Sequence, residues 1–167
     1  MDTFNEQILK IRPTAKTTVL RLLIWVVAIA VSTVLIMNLR YLKGLIVLLE
    51  FLLFYGAWKL SQQCSIEYEY ILTNGDLDID KITAQSTRKR LLTLKCAEIE
   101  TIGKYQKGMQ LHGKLFMCCN ENDNAYYIIT RDKNEGTVCL VFAPEEKLIN
   151  GIKLFLPRII QKDAFTD

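Results

Sequence analysis

The sequence is short of the groups that active-site chemistry needs. It has one histidine, His112, in a Gly-flanked stretch with no nucleophile or acid at a predictable partner position. There is no P-loop, dinucleotide fingerprint, nucleophile elbow or HExxH helix, so neither an enzymatic activity nor a cofactor is expected. The five cysteines, Cys64, Cys96, Cys118, Cys119 and Cys139, form no CxxC pair, zinc-ligand spacing or disulfide framework. Their odd number fits free thiols in a reducing compartment. His112 therefore reads as a surface-loop residue. Cys118 and Cys119, adjacent on an expected strand, should face opposite ways, with at least one a small buried hydrophobe. Internal repeats and low-complexity segments are absent. Net charge is only +3, and positive residues concentrate only at Arg88, Lys89 and Arg90, so nucleic acid is not an expected partner.

What the chain does have is two apolar runs back to back, roughly Leu20 to Leu39 and Leu42 to Leu60. At ~1.5 Å per residue, each is long enough to cross ~30 Å of hydrocarbon. The pair reads as a transmembrane hairpin joined by a tight turn at Asn38 to Lys43. Ala28-Ile29-Ala30 has the form of a signal-peptidase site, but it lies inside a run that continues through Met37 with a second span close behind, so no cleavage is expected. Of the 167 residues, 1–18 read as an N-terminal interfacial segment, 19–60 as the hairpin and 65–167 as one domain of common size. Lys10, Arg12, Lys16 and Arg21 precede the first span, Arg40 and Lys43 lie in the turn, and Lys59 closes the second. The positive-inside rule then puts both termini in the cytoplasm of a multi-pass cell-membrane protein.

Within the N-terminal segment, Thr3 and Glu6 have capping-box spacing, and Phe4, Ile8 and Ile11 share a face at helical spacing before Pro13; a short interfacial helix is expected. After Cys64 the period changes to two. Ile66, Tyr68, Tyr70 and Leu72 alternate with Glu67 and Glu69, Asn74-Gly75 supplies the positive-φ pair of a type I′ turn, and Leu77 and Ile79 alternate with Asp76, Asp78 and Asp80. Further strands are expected at about Arg88 to Leu94, Glu98 to Tyr105, Leu115 to Asn120, Ala125 to Arg131 and Thr137 to Phe142, making seven. Pro144, Glu145 and Glu146 then open an amphipathic helix carrying Leu148, Ile152, Phe155 and Ile159, which Pro157 should kink or end.

Seven short strands followed by one amphipathic helix is the element order of the pleckstrin-homology superfold: an antiparallel bent barrel capped by a C-terminal helix. The residues Glu67-Tyr68-Glu69-Tyr70-Ile71-Leu72-Thr73-Asn74-Gly75-Asp76-Leu77-Asp78-Ile79-Asp80-Lys81, placed after a two-span hairpin and followed by Arg88-Lys89-Arg90, resemble an uncharacterised family of small bacterial two-span membrane proteins with a PH-like cytoplasmic domain. The resemblance covers essentially the whole chain and implies an α+β membrane protein of that fold, with no known activity. Phosphoinositide-binding PH domains place basic residues around the first hairpin turn. Asp76, Asp78 and Asp80 stand there instead, so a pocket of that kind is not implied.

Two groups invite a functional reading. Glu50 lies near the centre of the second span. An acid there costs about 2.5–3.5 kcal/mol on insertion scales, and its apolar neighbours recover roughly 4, so insertion still wins narrowly. Glu50 should hydrogen-bond to Ser32 or Thr33 at similar depth, or hold helices or subunits together; one carboxylate and two spans do not make a transport path. Arg88, Lys89 and Arg90 follow a turn that should lie close to the bilayer, which suggests contact with anionic headgroups at about 1 kcal/mol each. Glu67, Glu69, Asp76, Asp78 and Asp80 read as a largely solvated acidic face of the first hairpin. The expected role is a membrane-anchored binding or scaffolding module. The alternative is a small accessory or regulatory subunit of a transport or signalling complex, assembled partly through Glu50. The bilayer is the one definite partner; a protein partner or a homo-oligomer is the further possibility.

Overall fold

The computed structural model describes residues 3–39, 43–120, 123–132 and 136–165. They fall into two compact units, residues 12–66 with 83–87, and residues 3–11, 67–82 and 88–165.

The first unit is built on α1 (Ala15–Leu39) and α2 (Lys43–Gln63). Residues 40–42, in the expected turn, lie outside the described residues. Both helices are long and apolar enough to cross a membrane, with mean hydropathy of 2.6 and 1.5 over their spans. Their large side chains point outward, Val19, Leu22, Val47, Phe51 and Leu52 among them, and among the described side chains only Ala28 and Ala57 are buried. Small residues meet where the helices approach, with Trp25 stacked on Phe54 at 6.4 Å.

The second unit begins with a departure from the sequence reading. Residues 4–10 are a strand, β1 (Phe4–Lys10), and not a helix. It pairs antiparallel with β2 (Ile66–Thr73) from Phe4 opposite Thr73 to Lys10 opposite Glu67. Three sets of contacts override the helical spacing. The ladder satisfies an edge of β2 that would otherwise be bare. The main-chain N–H and C=O of Thr3 bond to Asn74, so Thr3 cannot cap a helix. The side chain of Gln7 donates to the Ala143 carbonyl at 2.9 Å and accepts from the Glu145 N–H at 2.8 Å. The interior of this strand is thus partly polar, with Asn5, Gln7 and Leu9 turned inward.

Strands β3 (Asp76–Thr83) and β4 (Thr87–Lys95) complete a first sheet in the order β1-β2-β3-β4. Asn74 and Gly75 take φ of 50° and 93°, as the type I′ turn requires. Gly75 is needed twice over, because a Cβ there would also lie 2.9 Å from the Phe155 ring. After a 3₁₀ turn at Cys96–Glu98, β5 (Ile99–Lys104), β6 (Lys114–Met117), β7 (Tyr126–Asp132) and β8 (Gly136–Phe142) form a second sheet in the order β5-β7-β8-β6.

The described residues therefore hold eight strands in two four-stranded sheets, where a seven-stranded antiparallel bent barrel is expected from the sequence. Nor is the pairing wholly antiparallel: β6 runs parallel to β8. Gly113 lets β6 start there, since its φ of 116° suits glycine and a Cβ would overlap the Thr137 carbonyl oxygen. β6 ends at Met117, so Cys118 and Cys119 lie just past the strand, the first buried and the second half-buried.

The core between the sheets holds Tyr70, Leu72, Leu77, Ile79, Ile128, Leu140 and Phe142. Tyr70 stacks edge-on against Phe142 at 5.6 Å, and its hydroxyl donates to the Cys118 carbonyl and accepts from the Ala143 N–H. A fully buried tyrosine is tolerated because that hydroxyl is satisfied. α3 (Glu146–Phe155) closes the core with Leu148, Ile149 and Ile152. Pro157 ends it, and α4 (Arg158–Phe165) follows at a new phase, with Ile160 packed inward. Ile159, expected on the buried face, is exposed for this reason. The fold is α+β and consistent with a PH-like domain.

Candidate functional site

The turn between β3 and β4 belongs to the same compact unit as the helices. Ala84 and Gln85 both take φ of 56°, and the Ser86 N–H donates to the Thr83 carbonyl. The Ala84 N–H donates to the Ser65 carbonyl at 3.1 Å, two residues past the end of α2. The hydroxyl of Ser65 accepts from the Arg21 guanidinium on α1 at 2.7 Å. Ser65 thereby joins the start of α1, the exit from α2 and the β3–β4 turn. Arg21, counted as a flank before the first span, is a residue of α1 itself.

Beyond that turn, two of the three cations are engaged by the acidic residues. Arg88 reaches over β3 to Glu69 on β2: its Nη2 donates to Oε1 at 2.9 Å and lies 2.8 Å from Oε2, which has no hydrogen bond of its own. Arg90 bonds to Asp78 and Asp80, each at 2.9 Å, and Thr93 donates to Asp78 at 2.6 Å. Lys10 on β1 pairs more loosely with Glu67 at 3.7 Å. Lys89 is exposed.

The acidic face is therefore not largely solvated: Glu69 and Asp80 are buried in an ion-pair network across the first sheet. Burying a carboxylate is costly unless a cation and hydrogen bonds compensate, and the arginines of β4 supply both. The carboxyl of Glu69 is nevertheless held above the usual carboxylate range. Burial is the main cause, a hydrogen bond with Glu6 the second, and Arg88 works against both. Sequence spacing alone did not reveal this pairing. The available signal was the two-residue turn, which sets Glu69 opposite Asp80 on the strand beside the arginines.

Within the helices, Glu50 and Ser32 are both half-buried on the sides where α1 and α2 meet. The structure does not join them. One carboxylate oxygen of Glu50 is enclosed without a hydrogen-bond partner, and Thr33 donates back to the Ile29 carbonyl at 2.9 Å. An apolar groove of about 440 Å³ runs along the pair, lined by Ala28, Gly56 and Ala57 with Leu23, Leu53 and Leu60.

In the sheet unit, a cleft of about 490 Å³ lies between the end of β5, the start of β7 and the start of α3. Lys104, Asp123 and Glu146 give it charges of both signs. Among the described residues no cluster could hold a metal ion. His112 is exposed in its loop, and all five cysteines are free. Burial pushes the Cys96 and Cys118 thiols up to about 12 and the Cys119 thiol to about 11, far from the range of reactive thiolates.

No curated protein and no solved structure is similar to the chain. A family does match it, over residues 1–162, described as Bacterial PH-like domain (DUF6106). That match takes in β1, both apolar helices, both sheets and most of α4. The chain belongs to this bacterial PH-like family of unknown function.

Proposed function

We propose that the chain is a membrane-anchored, non-enzymatic PH-like binding or scaffolding module, with both termini and the sheet unit on the cytoplasmic side of the cell membrane. The observation that carries this reading is the Ser65 junction. It bonds the β3–β4 turn, within one compact unit, to two helices long enough to span a bilayer. Arg88, Lys89 and Arg90 start just beyond that junction. In this reading Lys89, with the half-exposed Arg88 and Arg90, lies within ~8 Å of anionic headgroups and orients the domain. The two arginines serve the sheet first and the lipid second.

A second reading, a small accessory or regulatory subunit of a transport or signalling complex, is favoured by Glu50. An enclosed carboxylate oxygen with no partner in its own hairpin is an unmet demand that a neighbouring helix could satisfy.

Topology tests the main reading. The full chain should resist alkaline extraction from membranes, and a cysteine placed at exposed His112 should react with a membrane-impermeant maleimide only after the cells are permeabilised. Labelling in intact cells would put the sheets outside, and release by alkali would remove the anchor.

A further inference from the structure

We propose that the sheet unit binds a phosphate monoester in a cleft beside the connection from β5 to β6. This goes beyond the anchored-module reading and uses the sheet unit alone.

β5 and β6 are the two outer strands of the second sheet, so residues 105–113 must travel from one of its edges to the other. They begin with a tight turn. The Met109 N–H donates to the Gln106 carbonyl at 3.1 Å, and Gly108 takes the φ of 92° that the third residue of a type II turn requires. Between this turn and β7 lies a cleft of about 490 Å³, lined by Lys104, Gln106, Lys107, Gly108, Met109 and Tyr127. Tyr127 can form a wall of it because the residue opposite on β5 is Gly103. A Cβ at Gly103 would lie 3.0 Å from Cε1 and 3.1 Å from the hydroxyl oxygen of that tyrosine.

Every polar side chain on this lining can donate a hydrogen bond, and two of the four are cations. No carboxylate lines the cleft, and from 101 to 120 the chain has three lysines and neither Asp nor Glu. Lys104, the Gln106 amide and the Tyr127 hydroxyl make no side-chain hydrogen bond or ion pair with a described residue. The neighbouring acids do not supply one. Asp123 and Glu146 line the adjoining cleft, which shares Lys104 and Gln106, yet neither comes within ion-pair distance of Lys104. Asp123 accepts instead from the main-chain N–H and side-chain amide of Asn120 at 3.1 and 2.8 Å, and Glu100 lies 3.7 Å from Arg131. Three donors thus line one cleft with no acceptor engaged, and Lys107 adds a second positive charge.

A phosphate monoester suits this lining better than a carboxylate does. It carries nearly two negative charges at neutral pH and three strong acceptor oxygens, enough for two lysines, an amide and a hydroxyl together. A carboxylate has one charge and two oxygens, and would leave a lysine uncompensated. Met109, 43% exposed, and the Tyr127 ring offer an apolar wall to the group that the phosphate esterifies.

The test is the methyl resonance of Met109 in the full chain, labelled at its methionine methyls and held in zwitterionic detergent, with Met37 on α1 as internal reference. Phenyl phosphate should shift Met109 saturably and leave Met37 unmoved. Lys104→Gln and Lys107→Gln should each weaken binding about tenfold, and Tyr127→Phe, which keeps the ring on Gly103, severalfold. Both lysines are exposed, so strand amide exchange should stay native in their variants. A response to phenyl phosphate assigns the site to a soluble phosphate ester. A Met109 shift seen only in nanodiscs that hold phosphatidic acid beside phosphatidylcholine assigns it to a lipid headgroup. No shift in either setting, an equal shift with phenol or with benzoate, or binding indifferent to both lysine substitutions would each overturn the proposal.

Discussion

The helix pair and the sheet unit use the same apolar residues in opposite directions. In the helices the large side chains point out, and the buried positions are Ala28 and Ala57, at 3% and 6% exposure. In the sheets Leu72, Leu77, Ile79, Ile128 and Phe142 are fully enclosed. Burial of large apolar surface drives folding only where the alternative is water. A helix pair that buries alanine and leaves leucine and phenylalanine outside suits an apolar surrounding, where close packing of small residues takes the place of the hydrophobic effect. Each region also encloses one glutamate. Each keeps one buried carboxylate oxygen without a hydrogen bond, but Glu69 has the Arg88 guanidinium 2.8 Å away, whereas no ion pair with a described residue reaches Glu50. The contrast separates a carboxyl that the fold partly compensates with a cation from one that it does not.

The largest effect that could break this comparison is an apolar truncation in each region. Ile79→Ala, at the centre of β3, should cost about 2–5 kcal/mol through lost burial and a residual cavity. Val47→Ala, on the outward side of α2, should change stability by no more than about 0.5 kcal/mol. Strand amide exchange of the full chain in detergent reads the first, and protease resistance of the helices the second. A comparable loss at Val47 would mean that its face packs against protein.

Much of this arrangement was legible beforehand, and the failures have a common cause. The β2–β3 hairpin could be read because Asn74-Gly75 and the flanking alternation are local signals. The break at Pro157 was equally local, since a missing N–H and a ring clash act within one turn. The spacing of β1 misleads because Asn5 and Gln7 face inward, and their worth depends on Ala143, Glu145 and Gly151, about 140 residues away. A polar residue that caps a distant helix start looks like surface in a short window. The acidic face was misread for the same reason: nothing local to Glu69 or Asp80 shows that Arg88 and Arg90 return over them. The consequence is practical, because a fragment starting at Ser65 would lack β1 and the partner of one edge of β2. The cations at 88–90 were therefore found by composition, but their first engagement, with the sheet, was not.

The next effect in size concerns the unpartnered glutamate. If Glu50 joins this hairpin to another helix, Glu50→Leu should keep insertion but weaken that association by about 1 kcal/mol. Glu50→Gln should leave it intact, because an amide still hydrogen-bonds. Recovery of a crosslinked or co-purified membrane partner measures this. Equal recovery from wild type and Glu50→Leu would reduce Glu50 to a tolerated acid and remove half of the contrast with Glu69.

The smallest expected effect sharpens the other half. Burial, helped by the hydrogen bond with Glu6 and opposed by Arg88, lifts the Glu69 carboxyl above its value in an unfolded chain, about 4.3. Such a group takes up protons on folding. Its contribution to stability is full below the unfolded value and falls as pH rises through the folded one. Glu69→Gln keeps an amide in the same place and cannot titrate there. The stability of wild type minus that of the variant, measured by denaturant unfolding from pH 4 to 8, should therefore decline across the mildly acidic range and then level off. Glu6→Gln, which leaves Glu69 and Arg88 in place but changes the hydrogen bond between the carboxyls, should shrink the decline without abolishing it, because burial is the larger cause. A flat difference would mean that Arg88 fully compensates Glu69, and the sheet would then hold a closed ion pair rather than a carboxyl poised between two neighbours.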